Sequence, residues 1–97
     1  MTVEELNDIF EKYDDRDEFL KFDRVRDRYS NRTDLHAFIL LDKLIPSDYD
    51  IISGAEHDEI YLGIDIEELA KVISEDDILT LIRCGCRLDS EGISMYV

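Results

Sequence analysis

Positive charge is scarce in this chain, and the residues that mark the commoner functional sites are scarcer still. Eleven Lys and Arg face 25 Asp and Glu over 97 residues, a net charge of −14. At that balance the attraction to phosphate becomes repulsion, which excludes sequence-independent binding to nucleic acid. The four glycines stand singly, so there is no Gly-rich loop to cradle a phosphate. The longest apolar run, Ala37–Leu41, falls far short of the roughly 20 residues a membrane helix needs, so no membrane contact is expected. The start, Met1-Thr2-Val3-Glu4-Glu5, has neither the basic residues nor the apolar run of a secretory leader, and the expectation is a cytoplasmic protein. Only two cysteines occur, Cys84 and Cys86, one residue apart. That spacing suits neither an ordinary disulfide nor, by itself, a zinc site, and it reads as two reduced thiols, one or both of them buried. No Gly-x-Ser-x-Gly is present and no Cys has a His close in sequence. The chain is therefore not expected to be an enzyme, and no cofactor is expected. With one proline, no repeats, no low-complexity tract and no linker, residues 1–97 read as a single acidic domain.

What is present is strong periodicity. Ile60, Leu62, Ile64 and Ile66 alternate with Tyr61, Gly63 and Asp65, the pattern of a half-buried strand over Ile60–Asp65. Asp65 can cap a following helix, with Glu68 reaching back to complete the box, and Leu69, Val72 and Ile73 as the apolar face. Ser74 offers a second cap, followed by Glu75, Asp76 and Asp77 at the positive end of a helix dipole and by Ile78, Leu79, Leu81 and Ile82 as its buried side. Gly85 stands where a left-handed residue ends a helix. Cys86 and Leu88, then Ile93, Met95 and Val97, flank Asp89–Gly92 as a hairpin.

The first half reads as helical. Thr2 and Glu5 form a capping-box pattern ahead of Leu6, Ile9, Phe10 and Tyr13, which predicts a helix from Val3 to Tyr13. Phe19, Phe22, Val25 and Tyr29 predict a second helix. Thr33 caps a third, central one through Leu35, Phe38, Ile39, Leu41, Leu44 and Ile45, stopped by Pro46. Ile51–Ala55 is a strand that turns through Glu56-His57-Asp58. The expected fold is α+β: three N-terminal helices packed on a small antiparallel sheet, with the order β-β-α-α-β-β in the second half.

Charge is unevenly spread. Residues 44–97 hold thirteen acids against three bases, a balance of −10, and residues 1–15 a balance of −5. Residues 16–32 run the other way at +2, through Arg16, Lys21, Arg24, Arg26, Arg28 and Arg32. That basic segment reads as internal charge pairing, or as a second contact surface of opposite sign. The acidic clusters are Asp14, Asp15, Asp17 and Glu18, then Glu67 and Glu68, then Glu75, Asp76 and Asp77. Carboxylates on a rigid surface can imitate the phosphates of a duplex, which fall about every 1.7 Å of its axis. Such a surface would compete for a protein that reads DNA through Lys and Arg. The plainer account of the same acids is solubility.

Four segments carry a resemblance: Arg32-Thr33-Asp34-Leu35-His36-Ala37-Phe38; His57-Asp58-Glu59-Ile60; Glu75-Asp76-Asp77-Ile78 leading to Arg83-Cys84-Gly85; and Ser94-Met95-Tyr96-Val97. Together the chain resembles small acidic proteins of unknown function encoded in bacteriophage and prophage genomes, over most of its length from Arg32 onward. The resemblance implies a phage product in a bacterial cytoplasm and brings no catalytic residue with it.

The expected function is thus a non-enzymatic acidic binding protein, an inhibitor of a basic, nucleic-acid-binding host protein. The runner-up is an assembly protein whose acidity serves solubility and packing in an oligomer; the sequence specifies no oligomeric state. A third reading is metal-dependent activity at His36 and His57, with Asp58 and a thiolate from Cys84 or Cys86 as further ligands. No ligand pair there has a standard spacing, and the histidines are expected not to bind metal.

Overall fold

The computed structural model describes residues 1–14 and 16–97. Helix α1 (Val3–Asp14) begins at the box read from the sequence: the Thr2 amide donates to Glu5 Oε1 at 3.0 Å, and the Glu5 amide donates to Thr2 Oγ1 at 3.1 Å. The Thr2 bonds hold the Glu5 carboxyl below the usual carboxylate range. Leu6 and Phe10 are the buried side chains of its inner face.

The second expected helix does not form. Between α1 and the next helix, the only regular element among the described residues is a 3-10 turn at Phe22–Arg24. Asp17, Leu20 and Asp27 take φ of 54°, 63° and 52°, and each left-handed residue interrupts a right-handed helix. The carbonyls a helix would have bonded are taken up by guanidinium groups instead. Arg28 donates from Nε to Val25 O at 3.0 Å and from Nη2 to Phe22 O at 2.8 Å, and Arg24 donates from Nη1 to Asp17 O at 3.1 Å. The apolar residues at helical spacing serve as separate anchors: Val25 is buried, and Phe19 and Phe22 pack on the edge of the core. The fold is therefore α+β, but two α-helices and a strap precede the sheet, not three helices.

Helix α2 (Thr33–Leu44) starts one residue earlier than a Thr33 cap would place it. Arg32 holds the cap position with no capping side chain, and Asp34 Oδ1 accepts from the Leu35 amide at 2.8 Å. It buries His36, Ala37, Leu40 and Leu41, while Leu35 is exposed, so it is central along one face only. It ends before Pro46, as expected.

Strands β1 (Ile52–Ala55) and β2 (Glu59–Leu62), helices α3 (Ile66–Val72) and α4 (Glu75–Arg83), and strands β3 (Cys86–Asp89) and β4 (Gly92–Tyr96) follow in the expected order. The four strands form one antiparallel sheet in the order β1-β2-β4-β3. Its register sets Ile60 and Cys86 beside Met95, and Leu62 and Leu88 beside Ile93, so these six side chains share the core face. Glu59, Tyr61, Arg87 and Ser94 alternate onto the other face. Strand β2 stops at Leu62, short of the predicted Asp65. The Ile64 amide turns back to Leu62 O at 2.9 Å, and Ile64 and Ile66 still pack against the core from outside the strand.

Asp65 Oδ1 caps α3 by accepting from the amides of Glu67 (3.0 Å) and Glu68 (3.2 Å). Glu68 does not reach back; it pairs with Lys71 at 3.2 Å. The buried face of α3 and its end is Leu69, Ala70 and Ile73, and Val72 is 51% exposed, as is Val97 at 56%. At α4, Ser74 Oγ accepts from the Asp77 amide at 3.1 Å and Asp77 accepts from the Ser74 amide at 3.4 Å. Gly85 ends this helix with φ of +94°, and a Cβ there would meet Leu20 at 2.7 Å. The core joins α1, α2, α3, α4 and the inner sheet face around Leu6, Leu41, Leu69, Ile78, Leu81 and Ile93. Among the described residues no helix is long and apolar enough to cross a membrane.

Candidate protein-binding surface

The acids nominated from the sequence fall into three kinds once their partners are known. Some are engaged by cations. Glu18, with its side chain only 12% exposed, accepts from Arg83 at 2.8 Å and from Arg24, and the two guanidinium groups, Arg83 foremost, hold its carboxyl below the usual range. Glu75 accepts from Lys12 Nζ and from the Tyr13 hydroxyl, both at 3.1 Å, and those two bonds lower its pKa in that order. Glu68 pairs with Lys71, and Asp17 with Lys21 at 3.8 Å. Asp77 is committed to the Ser74 cap. The remainder, Asp14, Glu67 and Asp76, stand exposed with no cation against them among the described residues. Asp15 lies outside the described residues.

Four bases of the basic segment, Arg16, Lys21, Arg24 and Arg28, are tied to groups of the chain itself, although all but Lys21 are exposed. Besides the carbonyl bonds of Arg24 and Arg28, Arg28 lies over the Phe22 ring at 4.4 Å and Arg16 over Tyr13 at 5.9 Å. Arg83 makes its bond to Glu18 through Nη2 and leaves Nε buried without a partner among the described residues. The reading of internal charge pairing holds for Arg24 and Lys21 and takes an unexpected form, carbonyl capping, at Arg28.

The histidines are set apart. His36 is 3% exposed; its Nδ1 accepts from the Tyr29 amide at 3.0 Å, and its ring stacks on Tyr29 and tilts against Phe22. Burial, with Arg28 nearby, lowers its pKa, so the ring is neutral and holds the strap to α2. His57 stands in solvent at the β1–β2 turn with Asp58 at 3.7 Å. Among the described residues no three His, Cys, Asp or Glu side chains gather as a metal ion requires. Cys84 and Cys86 are free thiols in the core. Burial pushes Cys84 up to about 12 and Cys86 higher than an ordinary thiol, against thiolate chemistry at either.

Sequence reasoning missed a groove of about 600 Å³ that runs beside β3, between α1 and the sheet. Phe10, Phe19, Ile82 and Leu88 give it an apolar floor, and Glu11, Asp14, Glu59 and Asp89 set carboxylates around it. Its one base, Arg87, lies over the Phe19 ring at 4.3 Å. Ser94 also lines it; this residue is 2% exposed and its hydroxyl makes no hydrogen bond among the described residues. The four acids come from α1, β2 and β3, so no local pattern could have assembled them. A smaller hollow of about 290 Å³ lies between the end of α2 and the loop after β2, with Asp42, Asp50 and the cap Asp65 at its rim. Compared with known proteins, the chain matches no family model, no curated protein and no solved structure.

Proposed function

We propose that this is a non-enzymatic binding protein whose acidic surface engages a basic protein, in competition with the nucleic acid that protein would otherwise hold. One observation carries the reading: the surplus of negative charge is not neutralised within the fold. Of the 25 carboxylates, salt bridges to Lys or Arg engage four among the described residues, namely Asp17, Glu18, Glu68 and Glu75. Most of the bases that could offset the rest are occupied with carbonyls, aromatic rings or those same four acids. A rigid helix-and-sheet frame presents what remains, and unspent like charge in a small domain disfavours the compact state unless a partner meets it. The phage context and a cytoplasmic setting belong to this proposal, with the host protein as the one inhibited.

The test is displacement. Labelled duplex DNA is bound to a Lys- and Arg-rich DNA-binding protein, the acidic protein is titrated in, and anisotropy is followed. Displacement is expected at about 50 mM salt and should be largely lost near about 300 mM, because steering charges are screened as the Debye length shortens. Charge reversal at Asp14, Glu67 and Asp76 together should weaken it. Absence of displacement at low salt sinks the proposal, and leaves solubility as the role of the acids. Self-assembly has its own support in Ile52 at the start of the outer strand β1 and Tyr49 in the bend before it, exposed at 47% and 87%; sedimentation of the purified protein decides that reading.

A further inference from the structure

The groove beside β3 gives the acidic protein a shaped place for its partner. Strand β3 is the outer strand of the sheet on that side, so its outer backbone edge pairs with no strand among the described residues. An edge of this kind is a template for an extended segment. Glu11, Asp14, Glu59 and Asp89, from three elements, line the hollow, which takes in residues of both sheet faces beside the β3 edge, and Arg87, the one base there, is drawn onto the Phe19 ring. The floor of Phe10, Phe19, Ile82 and Leu88 is apolar, as the methylene stems of Lys and Arg require when their charged ends reach carboxylates at a rim. Ser94 adds a polar point to the lining: the residue is 2% exposed and its hydroxyl is open to bond an occupant in place of water.

We propose that this groove binds an extended, basic segment of the partner protein, laid along β3 with Lys or Arg side chains against Glu11, Asp14, Glu59 and Asp89 and a polar group bonded to Ser94. The inference rests on the acidic-binding reading and adds to it a location and a shape.

The experiment uses a fluorescent decapeptide of alternating lysine and leucine, with a glutamate-for-lysine peptide as control, and the full-length protein. The lysine peptide should bind and the glutamate peptide should not. A variant neutralised at the groove (Glu11→Gln, Asp14→Asn, Glu59→Gln, Asp89→Asn) should lose about tenfold or more in affinity, because charges of one site act together. A variant with the same change in charge elsewhere (Glu4→Gln, Asp23→Asn, Asp42→Asn, Asp48→Asn) should lose less than about twofold. Ser94→Val leaves net charge untouched and should lose about two- to tenfold, the worth of one hydrogen bond. Amide shifts of the wild-type protein on adding peptide should centre on Arg87, Leu88 and Ser94, which tests the site even if a variant is poorly folded. Equal losses in the two fourfold variants, or shifts centred elsewhere, overturn the groove and leave the acidic-surface reading standing. Failure of the wild type to bind the lysine peptide while it still displaces DNA overturns the groove alone, and failure of both overturns both.

Discussion

Residues 65–83 and residues 16–32 solve one problem with opposite charges. In the first, acids and a serine meet the unbonded amides of helix starts: Asp65 takes the amides of Glu67 and Glu68, and Ser74 takes that of Asp77. In the second, guanidinium groups meet carbonyls that no α-helix bonds: Arg24 takes Asp17, and Arg28 takes Val25 and also Phe22, whose oxygen closes the 3-10 turn with the Val25 amide. Charge in this molecule is thus partly structural on both sides of the ledger, acids for amides and bases for carbonyls. The difference is that acids remain over once this demand is met, while the bases are mostly used. That asymmetry is what leaves a charged surface of one sign.

The two solutions differ in how much depends on each side chain. One Arg28 holds two carbonyls, lies on Phe22 and adjoins His36, so the strap hangs on it. Arg28→Ala should cost about 1.5–3 kcal/mol in urea unfolding, in the range of charge-assisted hydrogen bonds. Arg28→Lys should recover little of that, because an ammonium cannot reproduce the planar fork that bridges two carbonyls. A loss under about 0.5 kcal/mol for Arg28→Ala would mean that the strap is held by Val25 and Phe22 alone, and the symmetry between the two regions would break. The corresponding acid is worth less. Asp65→Ala should cost about 0.5–2 kcal/mol, with Asp65→Asn close to wild type since either side chain can accept from an amide. If Asp65→Ala proves costlier than Arg28→Ala, the helix starts and not the strap are the more dependent region.

The same contrast explains what could be read in advance. Caps and alternation are local: Thr2 with Glu5, Asp65, Ser74 with Asp77, and the Cys86–Tyr96 hairpin all came through because the residues that satisfy one another lie within a few positions. The strap was misread because Phe19, Phe22, Val25 and Tyr29 repeat at helical spacing, yet two left-handed residues between them, Leu20 and Asp27, and a third just before, Asp17, break the helix they would have formed. Nothing in the sequence marks Leu20 for φ of 63°; its position follows from its amide bonding Ile82 O at 3.3 Å, a contact made only after α4 is in place. Ile39, expected within a central helix, stays outside the core for a related reason. It lies in an apolar run, but only one face of α2 meets the core, and Ala37, Leu40 and Leu41 occupy it. The candidate site shows the same divide. Clusters such as Glu67-Glu68 were visible, whereas Glu18 and Glu75 lost their standing as free acids to Arg83 and Lys12, partners 65 and 63 residues away.

The smallest effect expected is also the one that tests whether the strap and α2 are joined as the hydrogen bonds indicate. His36 accepts from the Tyr29 amide through Nδ1, which requires that nitrogen to be unprotonated. Protonation would remove the bond and place a charge in a buried ring beside Arg28, and both burial and Arg28 therefore lower its pKa in the fold. In the unfolded chain the ring titrates near about 6.5. The folded state then binds fewer protons than the unfolded state below that value, so the stability His36 contributes is complete above about pH 6.5 and is lost as pH falls through the folded pKa. Melting temperature should decline modestly between about pH 7 and pH 5, above the range where ordinary carboxylates titrate. His36→Gln should flatten that slope at the cost of a lower plateau, and His57→Gln should leave it unchanged, since the His57 side chain is 95% exposed at the β1–β2 turn. A slope that persists in His36→Gln and disappears in His57→Gln would place the sensitive histidine at the β1–β2 turn, and the strap would have to be held to α2 by ring stacking alone.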